Sequence, residues 1–243
     1  MTTAFAKTYR VASYDVDSNS NLTLPALLRS LHDVAQQHAG SVGFGYQDLI
    51  PRDLAWALVT IELSLKPRPK GEEEMHLATA VAKFGGPLVY RDYLGDTAGK
   101  VFVVGQSLWA LIDLKTRRTT PLPSDLKAKL YEIQTPLQTE IPRVRRFRSK
   151  EPLTNIDRRR VRSHDCDFNG HLNNVVTARW MFDAAYEHSP ALSTAITSLK
   201  LSYHQEALLG EELAIGLERS EKVLKVELRK LDGVLIVSGE FAQ

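Results

Sequence analysis

Between Asp165 and Asn174 the chain reads D-C-D-F-N-G-H-L-N-N, a run of carboxylates and amides with one thiol and one imidazole. Oxygen side chains at alternate positions before a glycine imitate a calcium loop, D-x-[DN]-x-[DN]-G-x5-E, which needs a carboxylate at its twelfth position. Counted from Asp165 that position is Val176, which has no oxygen to offer. His164, Asp165, Cys166, Asp167 and His171 match no zinc spacing, and no second cluster supplies further ligands. The expectation is therefore no metal and no cofactor. Acid–base chemistry remains, from carboxylates beside an imidazole that titrates near neutrality. The same residues also suit a turn that caps a helix, and both readings stand at this point.

A comparison within the chain separates them in part. Shifted by 150 residues, K-T-Y-R-V-A-S-Y-D-V-D-S-N-S-N-L lies over D-R-R-R-V-R-S-H-D-C-D-F-N-G-H-L. Arg10, Val11, Ser13, Asp15, Asp17, Asn19 and Leu22 recur as Arg160, Val161, Ser163, Asp165, Asp167, Asn169 and Leu172. Without a gap, Arg29, Asp33, Ala35 and His38 recur as Arg179, Asp183, Ala185 and His188. Average composition would give roughly two identities over such a stretch. A repeat this long signals two copies of a domain and not a solenoid.

Where the copies differ, the second gains chemistry. Asn21 becomes His171, and K-P-R-P-K-G-E-E becomes Y-H-Q-E-A-L-L-G-E-E, so Glu206 arrives just past a strand where the first copy has Arg and Pro. The candidate set is Asp167, Asn169, His171 and Glu206. Taken singly, Asp167 and Asn169 recur in the first copy and can be turn formers, and Glu206 alone is an ordinary exposed carboxylate. Cys166 reads as a small buried side chain.

The elements that must position this set follow from pattern. Each copy opens with a short strand, over 9–14 and 159–164, leading into the Asp/Asn-rich turn. A helix follows, with Thr23 and Asn173 as N-caps and Pro25 tolerated in the first turn. Leu24, Leu27, Leu28, Leu31, Val34 and Ala35 form one apolar stripe, and Val175, Ala178, Met181, Phe182 and Ala185 the other. Strand-like runs come next: 55–67, 75–84, 89–94 and 101–114 in the first copy, 198–203, 212–219, 222–230 and 234–241 in the second. D-T-A-G-K and L-D-G-V read as hairpin turns. One long helix against an antiparallel sheet in each half is an α+β architecture. The predicted domains are 1–135, a basic, proline-punctuated linker over 136–156 holding Pro142, and 157–243. One further helix is expected over Ser124–Ile133. The linker carries R-V-R-R-F-R-S-K, with Arg143, Arg145, Arg146 and Arg148 through to Lys150, which reads as a solvated crossing or as a docking face for an acidic partner.

Bulk properties exclude whole classes. Among 243 residues, 43% are hydrophobic and 25% charged, as in an ordinary globular protein. No apolar run reaches the roughly 18 residues of a membrane span, so no membrane insertion is expected. A net charge of +2, without aromatics interleaved in the basic run, argues against nucleic acid. One cysteine and an N-terminus lacking a signal-peptide layout predict a reducing, cytoplasmic setting.

At D-C-D-F-N-G-H-L-N-N-V-V-T-A-R-W-M-F-D the chain resembles the acyl-ACP thioesterases of bacteria and plastids. Their second half carries D-x-N-x-H-x-N-N-V, an aromatic region ending in Trp, and later Y-x-x-E. Asp167, Asn169, His171, Asn173, Asn174, Val175 and Trp180 match the first element. Leu199, Leu201, Tyr203 and Glu206 match the second. In the first half W-A-L-V-T-I-E-L, R-D-Y-L-G-D and W-A-L-I-D-L-K-T-R-R are also similar, so the resemblance spans nearly the whole chain. It implies a tandem (double) hotdog fold and hydrolysis of fatty acyl-ACP to free fatty acid and holo-ACP, with Asp167, Asn169, His171 and Glu206 carrying the reaction. The implied partner is acyl carrier protein with its phosphopantetheine-linked chain, and pairing of two chains into a homodimer stays open. Relatives often have Cys after the Glu; here it is Ala207, which excludes a thiolate there. Thr177 and Arg179 replace the usual Tyr and Gly, and with no transit segment expected the chain resembles the bacterial form. An acyl-CoA thioesterase, a hotdog dehydratase and a non-catalytic acyl- or carrier-binding protein are the competing readings.

Overall fold

The computed structural model describes residues 4–137, 139–141, 143–148, 151–167, 169–191 and 195–243. Pro142 and the Ser149–Lys150 end of the basic run lie outside them. The chain divides into two compact units, Met1–Val144 and Arg145–Gln243.

The first unit contains strands β1 (Phe5–Arg10), β2 (Leu54–Leu65), β3 (Glu74–Gly85), β4 (Leu88–Thr97), β5 (Lys100–Asp113) and β6 (Arg118–Thr119). They pair antiparallel in the order β1-β3-β4-β5-β2, with β6 alongside β5. The long helix α1 (Leu24–Ser41) packs on this sheet through a stripe in which Leu27, Leu31 and Val34 are wholly buried. Fully burying such a side chain stabilises by about 1.5–3 kcal/mol. Thr23 caps α1 by accepting the Ala26 N–H, and the helix ends where Phe44 N–H returns to the Ala39 carbonyl across Gly43, whose φ is +76°. A short α2 (Tyr46–Leu49) and α3 (Ser124–Ile133) complete the unit, α3 burying Leu126 and Leu130 one turn apart.

The second unit repeats the plan. Strands β7 (Thr154–Arg160), β8 (Ser198–Tyr203), β9 (Glu212–Arg219), β10 (Val223–Lys230) and β11 (Leu235–Ala242) pair antiparallel in the order β7-β9-β10-β11-β8. Helix α4 (Asn174–His188) starts at Asn173, whose Oδ1 accepts Val175 N–H at 2.8 Å. Met181 on α4 packs its terminal methyl over Gly239, where a Cβ would stand 2.6 Å from it. On the opposite face of this sheet, Ser202, Ser238 and Glu227 share a row and hold the segment leading into β7. Phe147 N–H donates to Ser202 Oγ, Ser238 Oγ donates to the Phe147 carbonyl, and Leu153 N–H donates to the buried Glu227, itself paired to Arg229.

The opening strands end earlier than their alternating pattern suggests. β1 stops at Arg10 and β7 at Arg160, and Ser13–Asp15 and Ser163–Asp165 form 3-10 turns. Asp15 N–H bonds back to the Ala12 carbonyl and Asp165 N–H to that of Arg162; Asp165 Oδ2 also takes the Arg162 N–H. These local bonds outcompete strand pairing.

Candidate active site

The two turns that follow are built alike. Asp17 Oδ1 accepts the N–H groups of Asn19 and Asn21, both at 2.9 Å. Asp167 Oδ1 accepts those of Asn169 at 2.8 Å and His171 at 3.3 Å. Each turn is closed by a backbone bond, Asp17 N–H to the Asn21 carbonyl and Asp167 N–H to that of His171. The turn needs a left-handed residue: Ser20 supplies it at φ +62°, and Gly170 at φ +75° without steric cost. The recurring Asp and Arg residues have the same structural explanation. Arg29 pairs with Asp15 and Arg179 with Asp165, each helix being clamped to the turn before it. Asp167 thus shapes the loop that presents His171. Asn169 is exposed, and its side-chain amide makes no hydrogen bond among the described residues.

Backbone bonds also fix how the following loops correspond. Leu22 N–H donates to the Pro69 carbonyl and Leu172 N–H to that of Ala207, while Asn21 bridges Lys70 and His171 bridges Leu208. Arg68 therefore stands in the first unit where Glu206 stands in the second. In the first unit Arg68 lies 3.9 Å from Asp17, so a cation meets the turn. In the second, Glu206 Oε2 lies 3.5 Å from His171 Nε2, with side-chain exposures of 45% and 14%. The imidazole is sheltered while its carboxylate reaches water. Of the four candidates, His171 and Glu206 are in direct contact, Asp167 supports the His171 backbone, and Asn169 sits at the turn's exposed edge.

Neighbouring groups have other tasks. The Tyr203 hydroxyl donates to the Asn174 carbonyl at 3.2 Å, tying β8 to the start of α4, and burial pushes its phenol well up, so it stays a neutral donor. Sequence reading matched Tyr203 to a motif without this role, which appears only once β8 and α4 are side by side. His204 turns to the other face, where it contacts Ser238 Oγ at 2.9 Å and Arg146 at 3.3 Å. Burial, then Arg146, Arg148 and Arg229, lower its pKa to about 4. Cys166 is half-buried and not enclosed; its Sγ donates to the Arg162 carbonyl. Desolvation and the carboxylates of Asp165 and Asp167 push the thiol up, which disfavours a nucleophilic thiolate. Arg143, Arg145, Arg146 and Arg148 are all exposed, and Arg146 also donates to the Tyr203 carbonyl.

Two hotdog modules in tandem, with a sheltered imidazole facing a solvent-reached carboxylate in the later one, define the class of protein. A model of the acyl-ACP thioesterase N-terminal domain matches residues 2–130, and one of the C-terminal domain matches residues 149–235. The chain belongs to the acyl-ACP thioesterase family. It is 23% identical over 215 residues to a chloroplastic palmitoyl-acyl carrier protein thioesterase of Cuphea hookeriana, covering 83% of this chain and 51% of that protein. The chain spans about half the length of the curated relatives it matches. Among solved structures, an acyl-ACP thioesterase from Bacteroides thetaiotaomicron superposes with a TM-score of 0.83 at 23% identity, covering 98% of this chain and 96% of that one. The 12:0-ACP thioesterase from Umbellularia californica gives 0.80 at 19%, with coverage of 98% and 96%. No helix among the described residues is long and apolar enough to cross a membrane.

Proposed function

We propose that the protein hydrolyses the thioester of fatty acyl-ACP, releasing free fatty acid and holo-ACP, with acyl carrier protein as its partner and the cytoplasm as its setting. The observation that carries this reading is the His171–Glu206 contact in a chain of this family. Glu206, the carboxylate that reaches water, acts as general base on the attacking water. Such a base contributes about 10²–10⁴-fold. His171 holds Glu206 in register and, with Asn169, polarises the thioester carbonyl. Asp167 positions both through the turn, since its Oδ1 already accepts two backbone N–H groups. The start of α4, one residue beyond Asn173, supplies the positive end of a helix dipole for the developing oxyanion. Ala207 follows the base and is buried, so no thiolate adjoins it.

The test is mass spectrometry of acids released from a mixed acyl-ACP pool, with the acyl-CoA pool assayed in parallel. Free acids from acyl-ACP are expected. Loss of water from a hydroxyacyl substrate, or carrier binding with no thiol released, would replace the reading with a dehydratase or a silent binding protein.

A further inference from the structure

We propose that the rim of the second unit formed by Leu208 and Leu209 with Arg158 and Arg160 is the docking face for an acidic protein that carries the thioester. The inference rests on the thioesterase reading for the cargo and on a separate observation for the surface.

That observation is how the two rims differ at equivalent positions. Lys70 N–H donates to Glu73 Oε2 and Leu208 N–H to Glu211 Oε2, both at 2.8 Å, so the loops share one register. Glu72 N–H bonds to the Val11 carbonyl and Gly210 N–H to that of Val161, which makes Gly210 the counterpart of Glu72. In the first unit Arg10 pairs with Glu72 at 2.7 Å and the rim is otherwise polar, with Lys70 and Gly71 at its crest. In the second, Arg160 repeats Arg10 but faces a glycine, and its Nε donates to the Gly210 carbonyl at 3.2 Å. Glu212 lies across from Arg160 just as Glu74 lies across from Arg10, so that carboxylate is common to both rims and does not restore the lost pair.

Lys70 and Gly71 are meanwhile replaced by Leu208 and Leu209, which are 47% and 60% exposed. Two leucines left in water beside Arg160, which has lost its acid, and near Arg158, an exposed cation where the first unit has Thr8, are complementary to a partner that is acidic around an apolar contact. Leu208 is the bridge partner of His171, so a protein seated on this rim brings a thioester arm directly to the imidazole. The basic run is a weaker docking candidate. Arg146 is committed to His204 and the Tyr203 carbonyl, and Phe147 is pinned to Ser202.

The experiment uses the full chain and the variant L209S/R158E, whose two side chains lie outside the His171–Glu206 contact. Affinity is measured by fluorescence anisotropy for acyl carrier protein bearing a thioether, non-hydrolysable acyl-pantetheine; chemistry is measured on an acyl-N-acetylcysteamine thioester. Affinity should fall at least about tenfold at low salt, with the part due to Arg158 fading near 1 M salt, where the Debye length is about 3 Å, and the part due to Leu209 remaining. Hydrolysis of the small thioester should be unchanged. Unchanged carrier affinity, an equal loss on the small thioester, the same affinity loss in R145E/R148E alone, or loss of binding to anionic phosphatidylglycerol vesicles in place of carrier protein would each overturn the docking face. If the parent chain binds carrier but cleaves neither thioester, the thioesterase reading fails while the affinity comparison still decides the surface.

Discussion

The two units share a strand order and a helix position, yet they differ in the sheet face under the long helix. The first unit buries a polar network there. Arg91, 5% exposed on β4, uses Nη1 to reach His38 Nδ1 at 2.9 Å and Thr79 Oγ1 at 3.2 Å. In the same sheet Trp109 donates to Ser107, which donates to Tyr93. The second unit lines the corresponding surface with side chains such as Leu201, Ile215, Val226 and Phe241, and carries its imidazole and carboxylate at the rim. A buried polar network is costly unless its members are satisfied, and once satisfied it is locked in place. A general base must meet water and change protonation state, which a locked interior forbids. The comparison sets a first copy whose buried polar residues lock its helix to its sheet against a second copy that leaves an imidazole and a carboxylate at a rim that water reaches.

The largest effect that could break this contrast is on turnover. His171→Ala and Glu206→Gln should each lower kcat by about 10²–10⁴-fold, the usual worth of a positioned acid or base, while thermal melts stay within about 1 °C. Steady-state hydrolysis of acyl-ACP beside a melting curve measures both. Two fully active variants would remove the reaction from this rim. In the first unit the matching change, Asn21→His with Arg68→Glu, should give no rescue of Glu206→Gln.

Next in size is the response to acid. Burial, with help from Arg91, lowers the pKa of His38 to about 4, and burial alone does the same for His32, whose Nε2 has no hydrogen-bond partner among the described residues. The ordinary value is 6.5, so above it the ring is neutral in both folded and unfolded chains and costs nothing. As pH falls from 6.5 toward 4 the unfolded chain takes up protons that the folded one refuses, and stability drops; below about 4 that slope ends. Urea titrations at pH 7 and pH 5 should show the loss, and His38→Asn, which keeps an acceptor for Arg91, should reduce it while the shares of His32 and His204 remain. His204 adds the same sign in the second unit. An unchanged slope in His38→Asn would mean the buried ring is not what the acid strikes.

Much of this was legible in the residues because it is local. Thr23 and Asn173 cap helices through bonds spanning two or three positions, and the alternation of β8 and β9 gives their bounds as Ser198–Tyr203 and Glu212–Arg219. Alternation misled at S-Y-D-V-D and S-H-D-C-D, where polar residues at strand spacing fold into 3-10 turns instead. The gain of His171 and Glu206 was readable from comparing copies, but the equivalence of Arg68 and Glu206 needed the backbone register. The Arg91–His38 contact was not readable at all. Its partners are 53 positions apart, and His38 shares its identity with His188, which is exposed and contacts its own helix at the Ala184 carbonyl.

The smallest predicted effect separates shape from chemistry most sharply, because it falls where the units are alike. Asp17 and Asp167 each accept two backbone N–H groups of the same turn. Asp17→Ala and Asp167→Ala should therefore cost similar amounts of stability, about 0.5–2 kcal/mol by analogy with lost helix caps. Asp167→Asn keeps the Oδ1 acceptor and the turn, so its kcat should stay within severalfold of the parent. A carboxylate attacking the thioester to form an anhydride would have no such tolerance, since an amide cannot replace it. Denaturant titrations of the three single variants, with hydrolysis rates for the two at position 167, make the comparison. Near-complete loss of turnover in Asp167→Asn with the fold intact would transfer the reaction from Glu206 to Asp167 and leave the likeness of the two turns without consequence for mechanism.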